Sequence, residues 1–295
     1  MDQLSKSVGE RWLAGNSDRP QVVLVGAPDR QRVAEELGRL RPIIASRADI
    51  VAIDLEFGYD FRDAKLDLVI VLGGDGSILQ VARQMEENQL PVLGINCGRL
   101  GFLAALTPDA FLEVWPEVSQ GAFSVIEHLM FRASVIRAGE VLTSRLGLNE
   151  AAILGGPPYQ ILDIDLLVDG ELATNYRCDG LIVSTPVGST AHNLSAGGPI
   201  LRKDLQAFVI SPISPHTLTH RSVVDSAERV FELTVSRPSP TTSVVVDGRV
   251  LCSLEDGDRV QVRRSASTFR MLSVPGHNDY RALREKLNWG GHTLP

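Results

Sequence analysis

Cysteine is scarce in this chain: 295 residues hold three, Cys97, Cys178 and Cys252, far apart and without a C-x-x-C pair. That excludes a disulfide scaffold and a thioredoxin-like redox motif, and it points to a reducing compartment. Long apolar runs are missing as well. Stretches such as residues 66–72 break far short of the roughly 20 residues of a membrane-spanning helix, and the opening MDQLSKSVGERWLAGN lacks the apolar core of a signal peptide. Together these absences predict a cytoplasmic protein with no membrane partner. Basic charge is not in excess: 29 Lys plus Arg stand against 36 Asp plus Glu, a net charge of −7. Non-specific attraction to nucleic acid or anionic lipid is therefore disfavoured, and a polyanionic ligand needs a local site.

Three nucleotide-site signatures are also lacking. There is no G-x-x-x-x-G-K-[ST] and no H-R-D loop, so neither a P-loop nor a protein-kinase mechanism is available. Gly94, Gly98 and Gly101 do not fit G-x-G-x-x-G, which disfavours a Rossmann hydride-transfer site. Their simplest role is a tight turn. His216 and His220 stand four apart, but Pro212 and Pro215 argue against a helix there and no H-E-x-x-H accompanies them. No residue is assigned as a metal ligand.

What is present is an ordinary folded composition, with 44% hydrophobic and 22% charged residues. The length suggests about two domains. In the first third, apolar runs at residues 21–26, 50–54, 67–72 and 91–96 alternate with helical patterns at 30–40, 77–87 and 107–118. This predicts an α/β domain with a mainly parallel sheet. Thr107 is placed to cap the last helix, with Pro108 in its first turn. From about residue 121 the pattern turns β-rich, punctuated by the turns RAGEV, VDGEL, VDGRV and EDGDRV. Residues 278–287 are helical in composition. The expected division is residues 1–120 as the α/β domain, 121–270 as an all-β domain, and 271–295 as a segment that packs back on the first.

Three features carry chemistry. Gly73-Gly74-Asp75-Gly76-Ser77 follows the strand DLVIVL and opens a helix. Glycines let backbone amides approach a phosphate, and the helix N-terminus adds a positive dipole end. An acid within such a turn repels a phosphate, so Asp75 fits either as a base or an orienter of a hydroxyl or a metal, or as a cap on the next helix. The second feature is DGLIVSTPVGSTAHNLSAGGP, residues 179–199, rich in small and hydroxyl-bearing residues as a polar ligand lying along the backbone requires. The third is the pair Asn149-Glu150 at a strand junction, where a carboxylate can accept from two ribose hydroxyls and an amide can read an adenine edge.

In this order, with GINCGRLGFL at 94–103 and SPISPHTLTHR at 211–221, these motifs resemble the NAD kinase family. The family transfers a terminal phosphoryl group to the 2′-hydroxyl of the adenosine ribose of NAD. The resemblance implies an α/β domain joined to a β-sandwich, with Asp75 as catalytic base, Gly76 beside the nucleotide, and Gly73 and Gly74 shaping the phosphate turn. It implies that Asn149 and Glu150 hold the adenosine part, that Thr190, Ala191, His192, Asn193, Leu194 and Ser195 line the substrate groove, and that Asp247 contributes from the second domain. Gln160, Arg177 and Arg249 join the substrate-binding set, and Asp179 is expected at the dinucleotide across a subunit interface. Further implications are NAD with ATP or polyphosphate as substrates, a divalent metal, Mg²⁺, with the phosphoryl donor, and a homodimer or homotetramer. His192 and Asn193 stand where the family usually has Tyr and Ser, which bears on the choice between NAD and NADH. The rival readings are a lipid kinase sharing the Gly-Gly-Asp-Gly turn, disfavoured by the polar block at 185–195, and a sensor that binds NAD or NADP without turnover.

Overall fold

The computed structural model describes residues 19–27, 31–99, 101–104, 106–274 and 279–287. It divides into two compact units, one made of the chain up to Glu127 together with the segment from Phe269 on, the other of His128–Thr268.

The first unit begins with β1 (Gln21–Gly26), α1 (Gln31–Ala45), β2 (Asp49–Asp54), β3 (Leu68–Leu72), α2 (Asp75–Met85), β4 (Val92–Ile95) and α3 (Pro108–Val118). The strands pair in parallel in the order β2-β1-β3-β4. Alternate residues Val22, Leu24, Leu68 and Ile70 pack with Val33, Leu40 and Ile44 of α1 and Phe111, Trp115 and Val118 of α3. Their neighbours Val23, Val25, Val69 and Val71 are buried too, so the sheet is covered on both faces, as parallel sheets require. Thr107 caps α3 by accepting from the Ala110 amide at 3.2 Å, with Pro108 in the first turn. α2 starts two residues before the sequence expectation. Its first amides would lack intrahelical partners in any case, so Gly76 weakens it little there, and Glu86 in the left-handed region (φ 47°) ends it after Met85.

The second unit follows as β5 (Ser124–Arg137), β6 (Glu140–Gly147), β7 (Glu150–Leu154), β8 (Leu162–Val168), β9 (Glu171–Cys178), β10 (Gly180–Ser184), a 3-10 turn at Gly188–Thr190, and the one-turn helix α4 (His192–Ser195). Next come β11 (Ala207–Ile213), β12 (Val223–Ser226), β13 (Phe231–Ser236), β14 (Ser243–Val246), β15 (Arg249–Ser253) and β16 (Arg259–Ser273). One antiparallel sheet runs β12-β11-β10-β7-β14-β15. The other contains β13 between β16 and β8, with β9 outside β8 and the β5-β6 hairpin joined to β16. Phe131, Ile153, Ile164, Leu181, Phe208, Phe231 and Val262 share the core of this sandwich.

Three hairpins close where the sequence placed Ala-Gly or Asp-Gly turns. Ala138-Gly139, Asp169-Gly170 and Asp247-Gly248 all have positive φ at both positions, between 46° and 86°, the geometry of a type I′ turn, whose twist matches that of the strands. Beyond the sandwich, Met271 of β16 pairs with Val92 of β4, and Leu272 and Val274 enter the first unit's core. α5 (Asp279–Leu287) follows; Asn278 of the expected helix lies outside the described residues.

Candidate active site: two carboxylates held by backbone amides

Asp75 is the first residue of α2, and it does not cap that helix. Gly74 is the N-cap residue and no side-chain cap bond forms. The carboxylate instead reaches the turn after β4. Its Oδ2 accepts from the Phe102 amide at 2.7 Å, and its Oδ1 from Leu103 at 2.9 Å and Ala104 at 3.0 Å. The capping expectation fails because three consecutive amides converge on one anion, a stronger arrangement than a single bond to a neighbouring helical amide.

Two residues that the sequence reading did not single out as functional build that turn. Asn96 donates its side-chain amide to the carbonyls of Arg99 (2.8 Å) and Ala104 (2.9 Å) and accepts from the Gly98 amide at 2.7 Å. At Gly101 a Cβ would overlap Asp75 Oδ1, so only glycine leaves room for the carboxylate. The signal was there in the Gly94, Gly98 and Gly101 spacing, but spacing alone cannot show what a missing side chain makes room for.

The second unit repeats the device. Asp247, at the tip of the β14-β15 hairpin, accepts at Oδ2 from Leu148 (2.8 Å) and at Oδ1 from Asn149 (2.8 Å) and Glu150 (3.2 Å), while its own amide donates to the Glu150 carbonyl at 3.0 Å. The Asn149 carbonyl accepts from the Thr185 amide at 2.9 Å, and Thr185 Oγ1 donates to the Leu148 carbonyl at 2.6 Å. Asn149-Glu150 is thus fixed from both sides, by the hairpin and by the start of the polar block. Sequence reasoning brought Asp247, Asn149 and Glu150 into one set, and the structure joins them in one network. It missed Thr185 as the link.

Glu150 is buried at 7% exposure, and its Oε2 has no hydrogen-bond partner. Burial, first, and then the neighbouring Asp247 charge raise its pKa to about 8, against a smaller opposing bond from the His192 amide. An orphaned buried carboxyl oxygen is unusual and marks a place for a ligand donor. A stability consequence follows from linkage. The unfolded carboxyl ionises near 4.5, so between that pH and about 8 the folded chain holds a proton that the unfolded chain has lost. Stability therefore falls as pH rises through this window, by up to about 1.4 kcal/mol per pH unit. In thermal melts across pH 5–8, the Tm of wild type is expected to fall relative to that of Glu150→Gln. A constant difference between the two would contradict this account.

The polar block folds into short turns that look inward as much as outward. Asn193 is buried, and its amide donates to the carbonyls of Ser189 (3.2 Å) and Pro199 (3.0 Å) while its Oδ1 accepts from Ser211 Oγ at 2.7 Å. Its side chain holds the loop together. Thr190 Oγ1 donates to the Val187 carbonyl at 3.1 Å. Ala191, His192 and Leu194 are half-buried and Ser195 is exposed. Gln160 and Arg249 are exposed, Arg177 pairs with Asp163 at 3.1 Å, and Asp179 lies 3.2 Å from His216 Nε2. His220 packs edge-on against Tyr176. Gly73 and Gly74 sit at the β3-α2 junction as expected, and Gly76 is exposed in the first turn of α2.

A glycine turn at a parallel strand end with a clamped acid in one unit, and a clamped Asn-Glu pair in the other, are features that suit a nucleotide-dependent phosphotransferase. Comparison with known proteins gives the particular family. Residues 12–123 match the ATP-NAD kinase N-terminal domain, and residues 148–274 match the ATP-NAD kinase C-terminal domain. The NAD kinase of Rhodopirellula baltica is 63% identical over 290 residues, spanning 98% of this chain and 93% of its own. That of Shewanella piezotolerans is 41% identical over 279 residues, with 90% of each chain covered. Among solved structures, an NAD kinase from Archaeoglobus fulgidus in complex with ATP superposes with a TM-score of 0.68 at 27% identity, covering 91% of this chain and 97% of its own. Yeast NADH kinase complexed with NADH shares the fold, with a TM-score of 0.81 at 22% identity over 95% of this chain and 90% of its own. The chain belongs to the NAD kinase family, the enzymes that phosphorylate NAD to NADP.

Proposed function

We propose that Asp75 accepts the proton of the adenosine 2′-hydroxyl of NAD as that oxygen attacks the terminal phosphorus of ATP or polyphosphate. The observation that carries this reading is the clamp: three amides and the space left by Gly101 fix one carboxylate at the mouth of a glycine turn. Oδ1 takes two of the amides and Oδ2 only one, so Oδ2 keeps a lone pair for a hydroxyl. Phosphoryl transfer asks little covalent chemistry of a protein beyond positioning, charge neutralisation and orientation of the nucleophile. Gly73, Gly74 and the first amides of α2 are suited to the donor phosphates.

In the second unit, Asn149 and Glu150 would hold the adenosine. The orphaned Glu150 Oε2 suits a ribose hydroxyl, and Asp247 keeps the pair in place. Thr190, Ala191, His192, Asn193, Leu194 and Ser195 would line the path of the dinucleotide, with Gln160, Arg177, Asp179 and Arg249 as outer contacts. We read the assembly as a homodimer or homotetramer in the cytoplasm, with Asp179 serving a neighbouring subunit.

Among the described residues, no three His, Cys, Asp or Glu side chains group to hold a metal ion. Mg²⁺ would be carried on the donor phosphates, as an ion that keeps several waters and needs few protein ligands. When bound, the ion would neutralise charge that spreads over the transferred group. The test is to incubate the purified chain with Mg²⁺, NAD or NADH, and ATP or polyphosphate in turn, and to locate the added phosphate by mass spectrometry. Phosphate on the adenosine 2′-oxygen is expected. Phosphate elsewhere, or saturable NAD binding with no transfer from either donor, would contradict the proposal.

A further inference from the structure

Helix α5 brings a cation to the turn that clamps Asp75. Lys286 Nζ stands 4.2 Å above the centroid of the Phe102 ring, and the Phe102 amide is the one that donates to Asp75 Oδ2. Lys286 is exposed and Phe102 half-buried, and the ammonium rests on an aromatic face; among the described residues no ion pair to it is found. Such a contact holds a lysine loosely and leaves its three donors open.

The phosphate turn carries no cationic side chain of its own. Gly73-Gly74-Asp75-Gly76-Ser77 has no Lys or Arg, the lysine of a P-loop is lacking, and Asp75 adds negative charge where a polyphosphate tail must lie. The N-terminus of α2 offers only about half a positive charge. Within the clamp turn, Arg99 is exposed, and a further cation is at hand in the last turn of α5, which carries Arg284 and Lys286.

We propose that Lys286 is a donor-phosphate-binding residue, swung from the Phe102 ring onto the terminal phosphates of ATP or polyphosphate. The inference rests on the reading of the Asp75 turn as the site of transfer. It gives the C-terminal helix a role in donor recognition, and it gives Phe102 two tasks, its amide fixing the base and its ring parking the cation.

The test compares wild type, Lys286→Met, which keeps the apolar stem on the ring and removes the charge, and Lys286→Arg, which restores it. Steady-state rates are measured with Mg²⁺ and ATP varied at saturating NAD, then NAD varied at saturating ATP, and again with polyphosphate as donor. Loss of one charge-assisted contact predicts a KM for the donor raised about tenfold in Lys286→Met. The values of kcat and of KM for NAD are expected to stay within about twofold, with most of the loss recovered in Lys286→Arg and the difference narrowing at high salt. An unchanged donor KM would overturn the inference. So would a fall in kcat with both KM values raised and no recovery by arginine, the pattern of a helix that only supports the turn. Asp75→Asn measured alongside separates the two readings. If its turnover collapses while Lys286→Met is silent, Lys286 has no donor role and the base assignment stands; if it turns over normally while Lys286→Met raises the donor KM, the reverse holds.

Discussion

Asp75→Asn is expected to lower kcat by at least about 100-fold while NAD still binds, because a positioned general base contributes about 10²–10⁴ in rate. The substitution keeps the side-chain shape. Its amide oxygen can still accept from one or two of the Phe102, Leu103 and Ala104 amides, but its NH₂ group faces donors where a second acceptor stood. The loss should therefore appear in kcat, with Kd for NAD measured by calorimetry changing far less. A variant that turns over at near the wild-type rate would remove Asp75 from the reaction.

Gly101→Ala carries the second large effect, through a residue that touches no substrate in this account. The added Cβ would fall on Asp75 Oδ1, and the contact is with a carboxylate already fixed by three amides, so either the acid or the turn must move. Displacing a reacting group by about 1 Å can cost about 10² in rate. Gly101→Ala is thus expected to lose about 30- to 100-fold in kcat, with a folded far-ultraviolet spectrum and a Tm lowered by a few degrees at most. A fully active Gly101→Ala would mean that the carboxylate position is not critical.

Much of this architecture was written locally. The strand Gln21–Gly26 and the Thr107 cap emerge where periodicity and capping rules place them, because each depends on neighbours in sequence. The same holds for the Ala-Gly and Asp-Gly hairpins, whose two central residues alone set the twist. Asp75, Asn149, Glu150 and Asp247 were legible as candidates from residue type and motif order. What they bond to was not. Asp75 reaches 27 to 29 residues ahead to its amides, and Asp247 reaches 97 to 99 residues back; no local rule couples such distant positions. Asn193 shows a bond pattern that residue type alone does not reveal. A polar residue in a hydroxyl-rich loop reads as a ligand contact, yet a tightly folded loop must satisfy its own buried carbonyls, and Asn193 does that for Ser189 and Pro199.

The clamp can be tested by a double-mutant cycle in kcat on wild type, Asp75→Asn, Gly101→Ala and the double variant. If Gly101 matters only through the carboxylate it makes room for, adding Gly101→Ala to Asp75→Asn should cost less than about threefold, against about 30-fold or more in the wild-type background. Equal losses in both backgrounds would show that Gly101 acts independently of Asp75, and the account of a clamped base would be wrong.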